Sequence, residues 1–330
     1  NYEYRIALVP AVFIGQFPEE IRTRHIYACL KEIGFTHIYE VEHGVNFIID
    51  AFNKYMDENV DNKPFISSFC PAVIRLIQVK FPSLVPNIIP MNAPLDVASL
   101  IINTRLCDAG INSEKIGIFY VTPCAAKIAS VKSPVESNPS PIAGVINMDF
   151  LYNKILRLLA NSSQSTNPIN HSLSGNDILW SCAGGEVANF TGRSFAIDGM
   201  QNVIDFLEKI ENGEIEKTGI IEMKVCEHGC PGGILNTNNR FVTLERLKNR
   251  ANSITLLNQL NKPDKLSFGK EFSDKLYNQV FITDIKPRSM LKLSNNMKTA
   301  LEMANNIKNT IKILPSVDCG VCGAPSCSAF

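Results

Sequence analysis

The apolar positions of the chain recur with two different periods. Short runs of β-branched and aromatic residues read as strands at Tyr4–Val9, His37–Val41, Phe65–Ser67, Ile116–Val121, Ile142–Ile146, Ser194–Ile197 and Ile220–Val225. Between them, apolar residues three and four apart predict helices over Glu19–Ile33, Ala72–Lys80, Leu95–Leu106, Asp149–Leu159 and Met200–Asn212. Such alternation predicts an α/β fold of two lobes, each a small, mainly parallel sheet flanked by helices. A stretch rich in Ser, Asn and Pro, Asn161–Asn176, reads as a mobile loop dividing a first lobe (1–160) from a second (161–260). Arg240–Ala251 reads as a basic helix. A polar linker to Pro287 and a long amphipathic helix, Ser294–Leu314, fill 261–314 and lead to a cysteine-bearing tail, 315–330. No internal repeat or low-complexity segment interrupts this order.

Composition narrows the function classes. The chain has 330 residues, 45% hydrophobic and 19% charged, as suits a buried globular core. Its 32 basic and 32 acidic residues cancel. No basic field is present to draw in nucleic acid or an anionic membrane. Apolar stretches break well before the ~18 residues of a spanning helix. The polar start running into IALVP does not read as a signal peptide, so a cytoplasmic setting is expected.

Ten cysteines in a chain without export signals point to metal rather than to a disulfide framework. Cys29 and Cys107, on apolar helical stretches, read as small buried hydrophobes. The sharpest local signal is Cys226-Glu-His-Gly-Cys230-Pro-Gly-Gly, directly after the strand IIEMKV. Its thiolates can reach one cluster while the glycines let the backbone come close. Cys70, after FISSF, and Cys124, after IFYVTP, each follow a predicted strand; either alone is more often structural. Together the three strand ends supply the four thiolates a [4Fe–4S] cluster needs. In the tail, Cys319-x2-Cys322-x4-Cys327 with its glycines favours a second cluster over zinc, although no fourth ligand follows before Phe330.

Three segments carry a resemblance to a known family. Ser67-Ser68-Phe69-Cys70-Pro71, Thr122-Pro123-Cys124-Ala-Ala-Lys127 and Glu222-x3-Cys226-x3-Cys230-x-Gly-Gly resemble, in order, the signature segments of [FeFe] (iron-only) hydrogenases. The tail, PRSMLKLSNNM, a helix and CGVCGAPSC, is similar to that of the divergent, sensory (HydS-like) branch. The resemblance implies an H-cluster in the cleft between the lobes. This is a [4Fe–4S] cubane sharing one cysteine sulfur with a diiron unit that bears CO, cyanide and an azadithiolate bridge. By motif matching, Cys70, Cys124, Cys226 and Cys230 hold the cubane, Cys230 bridges, and Lys127 hydrogen-bonds a cyanide. It further implies H2 and protons as substrates, a ferredoxin-like domain or protein as electron partner, diiron maturation proteins, and an anaerobic interior.

Departures from the family pattern predict slow turnover. Phe69 stands where efficient members have a proton-passing cysteine, Ile49–Met56 offers no relay glutamate, and Ile89 lies in a serine region. Thr122 and Lys224 replace methionines, Val73 a tryptophan, and Ile234 and Leu235 a glycine and a glutamine. An alternative proton route is expected through Glu227, Glu186 and the thiol of Cys182, set against plainer roles for Glu186 as a first-turn helix acid and Glu227 as a solvated one. His228 reads as a cluster-tuning or merely satisfied loop residue. The rival to a slow hydrogenase is a non-catalytic relative, an assembly factor or redox signalling module that binds only a cubane.

Overall fold

A computed structural model describes residues 2–59, 64–132, 141–159, 173–215, 218–260, 269–282, 285–288, 293–294, 296–314, 316 and 327. The strands are β1 (Tyr4–Val9), β2 (His37–Glu40), β3 (Phe65–Ile66), β4 (Ile116–Thr122), β5 (Ile142–Asn147), β6 (Phe195–Asp198) and β7 (Ile220–Lys224). The helices are α1 (Ala11–Ile14), α2 (Thr23–Ile33), α3 (Val45–Glu58), α4 (Pro71–Lys80), α5 (Pro94–Asp108) and α6 (Ala125–Lys132), then α7 (Met148–Leu159), α8 (Gly175–Leu179), α9 (Met200–Glu211), α10 (Arg240–Leu260), α11 (Lys270–Val280) and α12 (Met297–Ile313).

Two sheets result, in the orders β2-β1-β4-β5 and β3-β7-β6, and every pairing within them is parallel. Parallel strands need a crossover between them, and the helices supply it while covering both faces. Side-chain alternation along β1 shows this directly. Ala7 and Val9 pack with α2, α7 and α10, whereas Ile6 and Leu8 pack toward α5. In the smaller sheet, Ile66, Ile221 and Met223 face α4 and α9, while Phe65 and Ile220 face α3 and α11.

Three expectations change. Sequentially, β3 belongs to the first half of the chain, yet it pairs with β7, Phe65 opposite Ile220 and Ile66 opposite Ile221. Cys70 therefore sits with Cys226 and Cys230 on the second sheet, not with Cys124 as its place in the chain indicates. The supposed linker before Pro287 contains α11, whose Leu276 and Val280 are buried in the core behind the second sheet. Backbone bonds tie its end down, Asn92 N–H to Val280 O at 2.8 Å and Ile282 N–H to Pro90 O at 2.8 Å. The basic helix runs on to Leu260 because nothing from Asn252 to Leu260 breaks it. The loop reading of Asn161–Asn176 falls largely outside the described residues. Its end is ordered, because Ser174 and Asp177 form a reciprocal cap on α8. No helix among the described residues is long and apolar enough to cross a membrane.

Candidate metal centre

Loops after parallel strands converge at the carboxyl end of a sheet. Cys124 follows the central strand β4, Cys226 and Cys230 follow the central strand β7, and Cys70 follows β3 beside it. Each cysteine is positioned by local chemistry. Thr122 Oγ1 donates to Cys124 O at 3.0 Å and accepts from Cys124 N–H at 3.2 Å, folding the turn. Cys70 is the N-cap of α4, with Pro71 preset for the first helical turn. The loop from Cys226 to Cys230 turns through positive φ at His228 (63°) and Gly229 (80°). Its backbone is clasped by the loop after α8, Cys230 N–H to Ser181 O at 2.9 Å and Ala183 N–H to His228 O at 3.1 Å. A Cβ on Gly233 would lie 2.5 Å from Pro123 O, so glycine lets this loop close against the Cys124 turn of the other sheet.

The four thiols are near enough to perturb one another. Burial, first, and then the neighbouring thiolates push Cys124 and Cys226 above the ordinary thiol range. Cys70 is raised mainly by burial, with the backbone N–H groups of Val225 and Val73 acting the other way. Lys127 opposes the rise in all three. For Lys127 itself, burial pulls the ammonium down, but Cys230, Tyr120, Cys124 and Cys70 outweigh it and hold it well above its ordinary value. Its Nζ lies 3.8 Å from Cys230 Sγ. Among the described residues no three of His, Cys, Asp or Glu are grouped to share one metal ion. Four mutually coupled thiols, with backbone N–H groups on sulfur and a glycine-lined approach, instead fit a cluster of several irons.

Beside Cys230 lies a cavity of about 40 Å³, walled by Phe69, Tyr120 and Trp180 and by the side chains of Glu42, Lys127, Glu186 and Lys224. Lys224 is buried with two carboxylates. Its Nζ is 2.9 Å from Glu186 Oε1, bonds Glu222 Oε1, and donates to Cys182 O at 2.9 Å. Burial lowers this ammonium, and the two glutamates more than reverse that. Glu186 also accepts from Ser67 Oγ at 2.5 Å, and its carboxyl is raised, chiefly by burial. Glu222 accepts the N–H groups of Gly184, Glu186 and Val187 at 2.9–3.1 Å, pinning that loop to β7.

Glu42 escaped the sequence analysis. It follows β2, its Oε1 accepts Ala11 N–H at 2.7 Å, and its Oε2 is buried with no partner among the described residues. Burial, and then the charge of Glu40, raise its pKa to about 8. Glu40, two residues away, is held below the ordinary range despite burial, because Arg250 donates to both its oxygens at 2.8 Å and Tyr27 donates at 2.5 Å. The available signal was the alternation of two acids with apolar residues in Tyr39-Glu40-Val41-Glu42 at the end of a predicted strand.

The other anticipated relay residues fare differently. Glu186 lines the cavity. Glu227 does not: its side chain is 59% exposed and pairs with Arg240. The thiol of Cys182 is buried and pushed up to about 12, first by burial, which leaves it a poor proton carrier. His228 donates its backbone N–H to Asp198 Oδ2 at 2.5 Å and packs edge-on against Phe241. Phe69 is buried between Trp180 and Phe52. Cys319 and Cys322 lie outside the described residues, and Cys327 is half-buried.

Two parallel sheets thus present four cysteines from their strand ends to one buried lysine, with a cavity beside Cys230. Residues 4–155 match the family model of the iron only hydrogenase large subunit, C-terminal domain. The fold is similar to that of apo [FeFe]-hydrogenase HydA1 from Chlamydomonas reinhardtii, with a TM-score of 0.61 and 14% identity over 86% of this chain and 94% of that one. It is also similar to HydA(deltaEFG), described in terms of stepwise H-cluster assembly, with a TM-score of 0.59 and 15% identity over 86% and 90%. No curated protein matches. The chain thus resembles the iron-only hydrogenase large subunit in sequence over 4–155, and over 86% of its length it has the fold of those solved structures.

Proposed function

We propose that the domain holds an H-cluster and interconverts hydrogen with protons and electrons slowly, in the service of hydrogen sensing. The observation that carries this reading is the cavity against Cys230, where a buried ammonium stands 3.8 Å from the thiol and the other three cysteines are near enough to act on one another. Cys70, Cys124, Cys226 and Cys230 would hold the cubane, with Cys230, the one of the four that also lines the cavity, sharing its sulfur. When bound, the diiron unit supplies reversible cleavage of H2 into two protons and two electrons.

The chain's own residues then orient, exclude water and hold protons. Lys127 places a cation where an anionic ligand gains most from it, in a buried wall. Phe69 seals that wall and has no proton to give. Glu42, protonated at neutral pH, can hold and release a proton at Oε2, the atom that the protein leaves unbonded. Glu186 has its oxygens committed to Ser67 and Lys224, so it acts as a fixed part of the wall rather than a shuttle. With no thiol but that of the ligand Cys230 among the described residues of the cavity wall to pass protons between Glu42 and the diiron unit, proton passage limits turnover, which suits detection better than production. A ferredoxin-like electron partner and diiron maturation proteins follow from the same reading.

The test is anaerobic reconstitution with iron, sulfide and a synthetic diiron complex, followed by infrared spectra under H2 and under argon. Carbonyl and cyanide bands that move with H2 are expected. A cubane without such bands would reduce the protein to a cubane-binding relative.

A further inference from the structure

Buried polar atoms nearly always have partners, so those without one mark places where something else belongs. Trp180 and Ser181 are adjacent in sequence and both line the cavity beside Cys230. Trp180 Nε1 and Ser181 Oγ are both closed to solvent and have no hydrogen-bond partner among the described residues. Their backbone is not free to swing them elsewhere. Lys224 Nζ donates to Trp180 O at 3.3 Å, and Cys230 N–H donates to Ser181 O at 2.9 Å. The indole ring is wedged against Phe69 and Phe190, with ring centres 5.8 and 6.5 Å away. Two side chains with hydrogens to give are thus held rigidly on the wall that also carries Lys127.

An indole N–H can only donate, and Lys127 can only donate. A purely apolar occupant would leave these groups unsatisfied, and a cation would be repelled by the ammonium. We infer that Trp180 Nε1 and Ser181 Oγ are hydrogen-bond donors to the occupant of this cavity, which must be a compact, acceptor-bearing, anionic group. Resting on the function proposed above, the inference makes Trp180 and Ser181 specificity-determining residues for the carbonyl- and cyanide-bearing diiron unit, acting alongside Lys127.

Trp180 is the sole tryptophan of the chain, so its fluorescence reports on this cavity alone. Cubane-loaded wild type, Trp180→Phe and Ser181→Ala would be titrated with the synthetic diiron complex, following Trp180 emission where it is present, infrared bands, and release of the complex on dilution. In wild type, uptake should change the emission. Each variant should release the complex roughly tenfold faster, the worth of one hydrogen bond to a charged acceptor. Each should also shift at least one carbonyl or cyanide band. If wild type retains the complex while both variants match it in release and in band positions, water satisfies these groups and the inference falls alone. If wild type takes up no diiron complex, the proposed function falls and carries this inference with it. Should Trp180→Phe lose its cubane, Ser181→Ala with intact cubane absorption decides the matter.

Discussion

Replacing Glu42 by Gln separates the proton-holding role from the shape of the side chain. In the unfolded chain the carboxyl ionises near its ordinary value of 4.5, whereas in the fold it keeps its proton to about 8. Across that interval the folded state binds more protons than the unfolded one, so stability falls as pH rises through it. At 1.36 kcal/mol per pH unit, this one group costs the fold about 3 kcal/mol at pH 7, and nothing below pH 4.5. Glutamine has no such dependence, and its amide oxygen can still accept the Ala11 N–H. Glu42→Gln is therefore expected to be more stable than wild type at pH 7 by up to about 3 kcal/mol, and within about 1 kcal/mol of it at pH 5. Urea unfolding of the cluster-free, reduced protein at the two pH values measures this. A difference of equal size at both would mean that Glu42 ionises normally in the fold, and the argument for it as a neutral proton store would be refuted. In the loaded protein the same substitution should cut hydrogen turnover at least ~100-fold if Glu42 is the acid.

Other perturbations address the rest of the wall. Lys224→Met restores an apolar side chain but strands Glu186 and Glu222 together in the interior; thermal unfolding should show a loss of about 3–5 kcal/mol, partly recovered by adding Glu186→Gln. Gly233→Ala puts a Cβ 2.5 Å from Pro123 O, and iron analysis after reconstitution should show less bound iron with far-UV circular dichroism unchanged. Glu227→Ala removes only an exposed pair with Arg240, and iron content and turnover should both stay at wild-type levels; a clear loss of turnover alone would return Glu227 to the proton path.

The strands were legible because each is a short β-branched run bounded by turn residues, and all of those expected recur within a residue or two. The cysteines were legible for a related reason, since strand ends are where parallel sheets expose loops. What stayed hidden depends on distant contacts. Nothing in Phe65-Ile66 tells that its partner is Ile220-Ile221, nearly half the chain away. The helix at Lys270–Val280 carries so much polar sequence that only its burial against the second sheet discloses Leu276 and Val280 as core. Glu227 looked suitable for a relay because it adjoins Cys226, but the loop turns its side chain outward. Glu42 drew no notice, because nothing in the sequence marks the burial of its second oxygen.

The pairing of β3 with β7 has a consequence for how the protein is made. The strands of the larger sheet are all present once Asn147 has been synthesised, and local helices can close over it. Phe65 and Ile66 must wait for residues 220–221 before they find a ladder, and Cys70 waits with them. Domains are completed from the N-terminus as synthesis proceeds, and distant pairings form late. It follows that the quartet of cysteines comes together only near the end of folding. Until residues 226–230 emerge the nascent chain carries only part of the quartet, and on the function proposed above cluster loading belongs to the finished fold.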